Sequence, residues 1–251
     1  MKVSSTGGVP PSPLEPSVSS VAPSAPVEAS DRVHIADPLH TDWGFGGPEN
    51  QYNQLILDAI DAKWTGPPPL PPIILKSTVA QESAFDPKAK SPSGYVGLLQ
   101  VGPEEAKNQG LKLEPIDERT IPEKNLPCGV AVLGVKHGVV RNPLGLWDTP
   151  FAHAVQDYYD KNGLPSDRQI WYLSLAAYNG GGGTVLKAMA AAIERNLDPR
   201  EWSNLIGAPD NPKASPLYKA ITDTYSSGVW MSKFKEMSRY PVSIMNRAGV
   251  A

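Results

Sequence analysis

No aromatic residue occurs before Trp43, and this asymmetry constrains the fold more than any other feature of the chain. The opening 42 residues are rich in Pro, Ser, Ala and Val. Such a segment buries too little apolar surface to offset the entropy of ordering it. Residues 1–42 therefore read as a disordered tail or linker. Residues 43–251 carry every Trp, Tyr and Phe, enough for one domain with a sizeable core.

The hydrophobic pattern of that domain is helical. Over 51–62, Tyr52, Leu55, Ile56, Ala59 and Ile60 recur at helical spacing. The run Gly66–Pro72, GPPPLPP, interrupts the pattern. A polyproline ligand is the weaker reading of this run, because it abuts a helix start, where proline is tolerated. A helix over 72–84 puts Ile74, Thr78, Glu82 and Phe85 on one stripe. Residues 86–97 have turn composition, and 95–101 read as a short strand or irregular apolar segment. Further helices are expected over 125–140, from the Asp148-Thr149-Pro150 cap onward, and over 167–178, 184–195, 215–226 and 230–237. The expected architecture is mostly α with a small β or irregular portion. Its catalytic core spans about 51–195, and a C-terminal helical extension covers 198–247.

Composition narrows the function. A net charge of −3 offers no concentrated basic face for nucleic acid. No run approaches the roughly 20 apolar residues of a membrane span. The first residues hold one Lys and no apolar region of the kind a secretory signal needs. Cys128 is the single cysteine, so no intramolecular disulfide forms, and its place before Gly129 at a helix start reads as packed rather than nucleophilic. His34, His40, His137 and His153 lack ligand spacing, so neither a metal nor a cofactor is expected. Gly180–Gly183 is not followed by the Lys-Ser/Thr of a phosphate loop. A monomer is expected, with the Pro-rich tail open to a protein partner.

Chemistry concentrates at Ala80–Gln100, AQESAFDPKAKSPSGYVGLLQ. Glu82 ends an apolar stripe and precedes a polar turn. Desolvation there penalises the charged carboxylate and raises its pKa, which suits a proton donor near neutral pH. The alternative for Glu82 is an ordinary surface glutamate. Asp86, ahead of Pro87, reads as a turn residue rather than a second acid. Ser91 and Gln100 carry groups that both donate and accept, as sugar hydroxyls and acetamido groups require. Their bland alternatives are a capping Ser and a Gln that ties down a loop. Tyr178 and Asn179 close a later helix, as a core aromatic and a C-cap if nothing more.

Three patches together resemble the lytic transglycosylases of the soluble (SLT) type. The first is Glu82-Ser83, Phe85-Asp86-Pro87, Ala89, Ser91-Pro92, Gly94 and Gly97-Leu98-Leu99-Gln100. The second is Asn125-Leu126 with Gly129 and Leu133, and the third is Ala177-Tyr178-Asn179-Gly180 with Gly183 and Val185. They follow the family's order from Glu82 to Val185. The resemblance implies a lysozyme-like, mostly α fold and peptidoglycan glycan strands as substrate. It makes Glu82 the acid on the oxygen between N-acetylmuramic acid and N-acetylglucosamine, then the base on the muramic C6 hydroxyl, leaving a 1,6-anhydro end. Ser91 and Gln100 would line the sugar groove, Tyr178 would point its hydroxyl toward Glu82, and Asn179 would shape the groove. Action in the periplasm, envelope or outside the cell is expected from the substrate, and a phage particle fits as well. The rival readings are a muramidase of the same fold that uses water and a weakly active glycan-binding module.

The chain departs from the family in three places. Leu99 replaces a Met before Gln100, a swap that conserves volume. Val101-Gly102-Pro103 replaces Ile-Met-Pro, so Gly102 removes a side chain able to contact sugar. A late Glu-Thr-Arg-x-Tyr segment, aligned on Tyr218, puts Ala214 where its Glu would stand.

Overall fold

The computed structural model describes residues 39–251. Residues 1–38, and with them most of the expected tail, lie outside the described residues. Chain packed on the domain begins before residue 43. Leu39 is buried, and its carbonyl accepts Lys76 Nζ at 2.6 Å. Thr41 donates its hydroxyl to Glu49 Oε1 at 2.6 Å, and the N–H groups of Trp43 and Phe45 reach the same carboxylate at 2.6 and 3.0 Å. Glu49 and Lys76 are both buried, and buried charges need hydrogen-bond partners. The strap over 39–45 supplies them, so residues that composition assigns to the tail pack on the domain.

Ten α-helices follow among the described residues: α1 (Asn53–Lys63), α2 (Pro72–Ser83), α3 (Pro103–Asn108), α4 (Pro122–Arg141), α5 (Pro150–Asn162), α6 (Asp167–Gly180), α7 (Gly182–Glu194), α8 (Trp202–Ile206), α9 (Pro216–Thr222) and α10 (Trp230–Arg247). Five of them, α2, α3, α4, α5 and α9, open on proline, where the missing N–H and fixed φ cost nothing. Thr149, Ser166 and Ser215 cap α5, α6 and α9 by accepting the N–H three residues on. The helical periodicity thus reads correctly for most elements. It misses the short α3 and α8, and it ends α10 at Met237 although the helix continues through Pro241 to Arg247.

Helix α6 is the centre of the domain. Ile170 to Ala177 are buried without a break, as a helix surrounded by others requires. It packs against α4, α7 and α10, while α2 lies against α1 and α10. Helix α2 is buried from Ile74 to Ala80, and its polar members are satisfied: Ser77 donates to the Ile244 carbonyl of α10 at 3.0 Å. The expected β portion consists of two antiparallel bridges, Lys90 with Val96 and Val96 with Val101. Among the described residues no helix is long and apolar enough to cross a membrane.

Candidate active site

Glu82 occupies the last turn of α2. The helix ends because Ala84 and Phe85 both take positive φ, at 50° and 66°, so the chain turns sharply into the following loop. Phe85 is driven into the core, and Glu82 faces a cleft of about 470 Å³. Tyr240 of α10 donates its hydroxyl to Glu82 Oε1. Burial pushes the Glu82 carboxyl up from 4.5 to about 7. The Tyr240 hydrogen bond opposes that rise, nearby Glu236 adds to it and Lys233 offsets it in part.

The three sequence patches meet at the turn Gly97–Gln100, whose Gln100 lines the cleft with Glu82. Asn125, buried at the start of α4, accepts Leu99 N–H at 2.8 Å and donates to the carbonyls of Val96 (3.0 Å) and Arg119 (2.9 Å). Tyr178 donates its hydroxyl to the Leu99 carbonyl at 2.7 Å. Gly97 has φ 87°, and a Cβ there would lie 2.1 Å from the Arg119 carbonyl. Gly129 faces Leu99 so closely that a Cβ would come within 2.4 Å of its side chain. The spacing of Gly, Asn and Tyr across these patches is therefore the sequence record of one packed turn.

The predicted groove residues Ser91, Gln100, Tyr178 and Asn179 all line the cleft with Glu82. Each also has a local duty. Ser91 Oγ accepts Tyr95 N–H at 3.0 Å. Gln100, held at φ 44°, spends its amide N–H groups on the carbonyls of Ala89 and Gly97, both at 3.0 Å. Asn179 donates to Glu236 Oε1 at 2.8 Å, and Lys233 Nζ reaches the Asn179 side-chain oxygen at 3.3 Å. Asp86 accepts Lys88 N–H at 2.8 Å in an exposed turn, as expected of a turn residue.

Two expectations need correction. The hydroxyl that touches Glu82 belongs to Tyr240, because Tyr178 is turned to Leu99. The late acidic segment is misaligned on Tyr218, whose ring packs edge-on against Phe234 with centroids 5.9 Å apart. The matching interval is Glu236 to Tyr240, one turn apart on α10, both facing the site. That interval was readable in the sequence, but Met237-Ser238 in place of Thr-Arg hid it. Lys233 on the preceding turn pairs with Glu236 at 3.0 Å. Sequence reasoning assigned no role to this helix face.

Other reactive groups are accounted for by packing. Cys128 is buried, and burial pushes its thiol up to about 11. His137 is buried against Trp64 and Trp171, with Nδ1 3.0 Å from Ser174 Oγ and Nε2 3.0 Å from the Pro67 carbonyl. A carbonyl only accepts, so Nε2 carries the proton and Nδ1 accepts from Ser174. Among the described residues no group of His, Cys, Asp and Glu is arranged to hold a metal ion.

Residues 62–199 match the transglycosylase SLT domain. The membrane-bound lytic murein transglycosylases F of Klebsiella pneumoniae and Salmonella arizonae are each 26% identical over 175 residues, covering 68% of this chain and 29% of the relative. The chain thus spans under a third of the length of these curated relatives. Among solved structures, the 70 kDa soluble lytic transglycosylase of Escherichia coli is 18% identical with a TM-score of 0.42, over 80% of this chain and 24% of that one. An inactive mutant of lytic transglycosylase Slt from Pseudomonas aeruginosa is 19% identical with a TM-score of 0.42, over 79% and 23%. The family match takes in more than half of the chain and contains Glu82, Asn125 and Tyr178, the residues that build the turn and the acid. The chain belongs to the transglycosylase SLT domain family.

Proposed function

We propose that this chain is a peptidoglycan lytic transglycosylase that cleaves the bond between N-acetylmuramic acid and N-acetylglucosamine, with Glu82 as single acid and base. The observation that carries this reading is the Glu82 carboxyl, poised at about 7 in a polar cleft and held by the Tyr240 hydroxyl. Near neutral pH a carboxyl so tuned is protonated in a large share of molecules and can donate to the leaving oxygen. Once the proton has left, the carboxylate accepts the Tyr240 hydrogen bond more strongly and is ready to take a proton back. The C6 hydroxyl of the muramic residue gives up that proton as its oxygen attacks C1 and closes a 1,6-anhydro ring. Holding that hydroxyl beside C1 makes the second step intramolecular, so water is not required. Most glycosidases use two carboxylates, and the internal nucleophile explains why one suffices here.

Glu236 supports the rival reading of a water-using muramidase, since it is a second carboxylate at the cleft. Its surroundings weigh against a base: Lys233 pairs with it and Asn179 donates to it. We assign Glu236 to holding Asn179 and Lys233 in the groove wall. The curated relatives are named membrane-bound murein transglycosylases, and peptidoglycan lies in the bacterial envelope. Action outside the cytoplasm follows from that substrate. Digestion of purified peptidoglycan with mass analysis tests the proposal. Anhydro-ended products that vanish with Glu82→Gln are expected. Products heavier by one water would make the chain a hydrolase.

A further inference from the structure

The loss of a side chain at Gly102 has a counterpart across the cleft's small ladder. Val96 and Val101 exchange both backbone hydrogen bonds, at 3.1 and 3.0 Å. In an antiparallel pair this register sets the preceding residue of one strand opposite the following residue of the other, so Tyr95 faces Gly102. Tyr95 and Gly102 form the next, closer pair, with side chains on one face. Gly102 has φ −73° and ψ 160°, extended backbone that any residue adopts. A side chain here would instead crowd two neighbouring side chains. A Cβ there would sit 3.1 Å from Tyr95 Cε1 and 2.7 Å from Glu105 Oε2, the carboxylate that accepts Gly102 N–H at 3.0 Å.

The Tyr95 ring therefore lies in the volume that a side chain at 102 would enter. It is 42% exposed, and it lines the same cleft as Glu82. Its backbone is fixed by Ser91, whose Oγ accepts Tyr95 N–H at 3.0 Å and whose N–H reaches the Tyr95 carbonyl at 2.9 Å. An immobilised backbone carrying a large exposed ring in a mostly polar cleft suits the C–H face of a sugar, which packs flat on aromatic surface.

We infer that Tyr95 is a substrate-contacting residue of this chain, its ring occupying the space beside Gly102 at the cleft. The inference rests on the reading of the cleft as a glycan site. It predicts a reciprocal pair of substitutions. Tyr95→Ala leaves both positions small and raises KM for soluble glycan strands. With a contact of the size found for aromatic pairs, the rise is about twofold to twelvefold. Tyr95→Phe keeps the ring and keeps KM. Adding Gly102→Met to Tyr95→Ala restores a side chain to the freed space, once the flexible Glu105 carboxylate turns aside, and brings KM back toward wild type.

The alternative role for Tyr95 is to cover the glycine backbone, as aromatics do opposite glycine in sheets. That role would lower the melting temperature of Tyr95→Ala and leave KM unchanged. Steady-state kinetics and thermal melts of wild type, Tyr95→Ala, Tyr95→Phe and Tyr95→Ala/Gly102→Met decide the matter. A KM that ignores Tyr95→Ala while wild type cleaves peptidoglycan overturns this inference and leaves the proposed function standing. A double variant no better than Tyr95→Ala also overturns it. A wild type that neither binds nor cleaves glycan removes both readings together.

Discussion

Replacing Glu82 by Gln should abolish cleavage and at the same time stabilise the protein at alkaline pH. Burial holds the Glu82 carboxyl at about 7 against an ordinary 4.5. Between those values the native state keeps a proton that the unfolded chain has released. Folding stability therefore falls as pH rises through this window, by about 1.4 kcal/mol per unit. Two and a half units give an upper bound of about 3.4 kcal/mol. The side chain is part-exposed, so solvent screening trims this, and about 1–2 kcal/mol is expected. Gln is isosteric, carries no charge to bury and still accepts the Tyr240 hydroxyl through its amide oxygen. Urea unfolding at pH 4.5 and pH 8.5 measures the difference. The unfolding free energies of wild type and variant should agree within about 0.5 kcal/mol at the lower pH, where the native Glu82 is protonated. At the higher pH the variant should unfold later, with the same slope. A gap that is equal at both pH values, or that favours wild type at pH 8.5, would refute the claim that desolvation sets the Glu82 proton affinity.

The two cleft tyrosines should part company under the same deletion of one hydroxyl. Tyr240→Phe removes a bond to the charged form of Glu82, worth about 1.5–3 kcal/mol. The alkaline limb of kcat/KM, set by loss of the acid's proton, should then move up by about one to two pH units. Tyr178→Phe removes a bond to the Leu99 carbonyl and should leave that limb in place while lowering stability by about 1–2 kcal/mol, read by urea unfolding. Asn125→Ala leaves the buried Leu99 N–H and Arg119 carbonyl without that partner, while the Val96 carbonyl keeps Val101 N–H, and should cost about 2–5 kcal/mol by the same measurement, with activity lost as the Gly97–Gln100 turn loosens.

The helices were legible because each buries one stripe and most announce their start with proline or a capping hydroxyl. The turn at the site was legible for a different reason. Gly97, Asn125, Gly129 and Tyr178 are each confined to one residue type by a close approach or a hydrogen bond, so they leave a pattern even though they lie far apart in sequence. The strap over 39–45 left no such mark. Apart from the Thr41 hydroxyl, its work is done by backbone N–H and carbonyl groups toward Glu49 and Lys76, and any sequence can offer those.

The far wall of the cleft shows where this kind of reading stops. Helix α10 lies outside the matched residues 62–199, yet it carries Lys233, Glu236 and Tyr240, all directed at the cleft. Periodicity ended the helix at Met237 and so separated Tyr240 from the face it belongs to. What keeps the helix running past Pro241 is tertiary. Phe234, Met237, Tyr240, Pro241, Ile244 and Met245 are buried, and Ser77 and Arg247 tie α10 to α2 by side-chain hydrogen bonds to the Ile244 and Ser77 carbonyls. The packing that recruits α10 to α2 is thus the same packing that sets Tyr240 against Glu82. Since burial raises the acid's pKa and the Tyr240 hydroxyl limits that rise, the value near 7 is a property of the α2–α10 contact rather than of the Glu82 segment. The segment 80–100 supplies the carboxyl, and a helix some 150 residues later supplies its proton affinity.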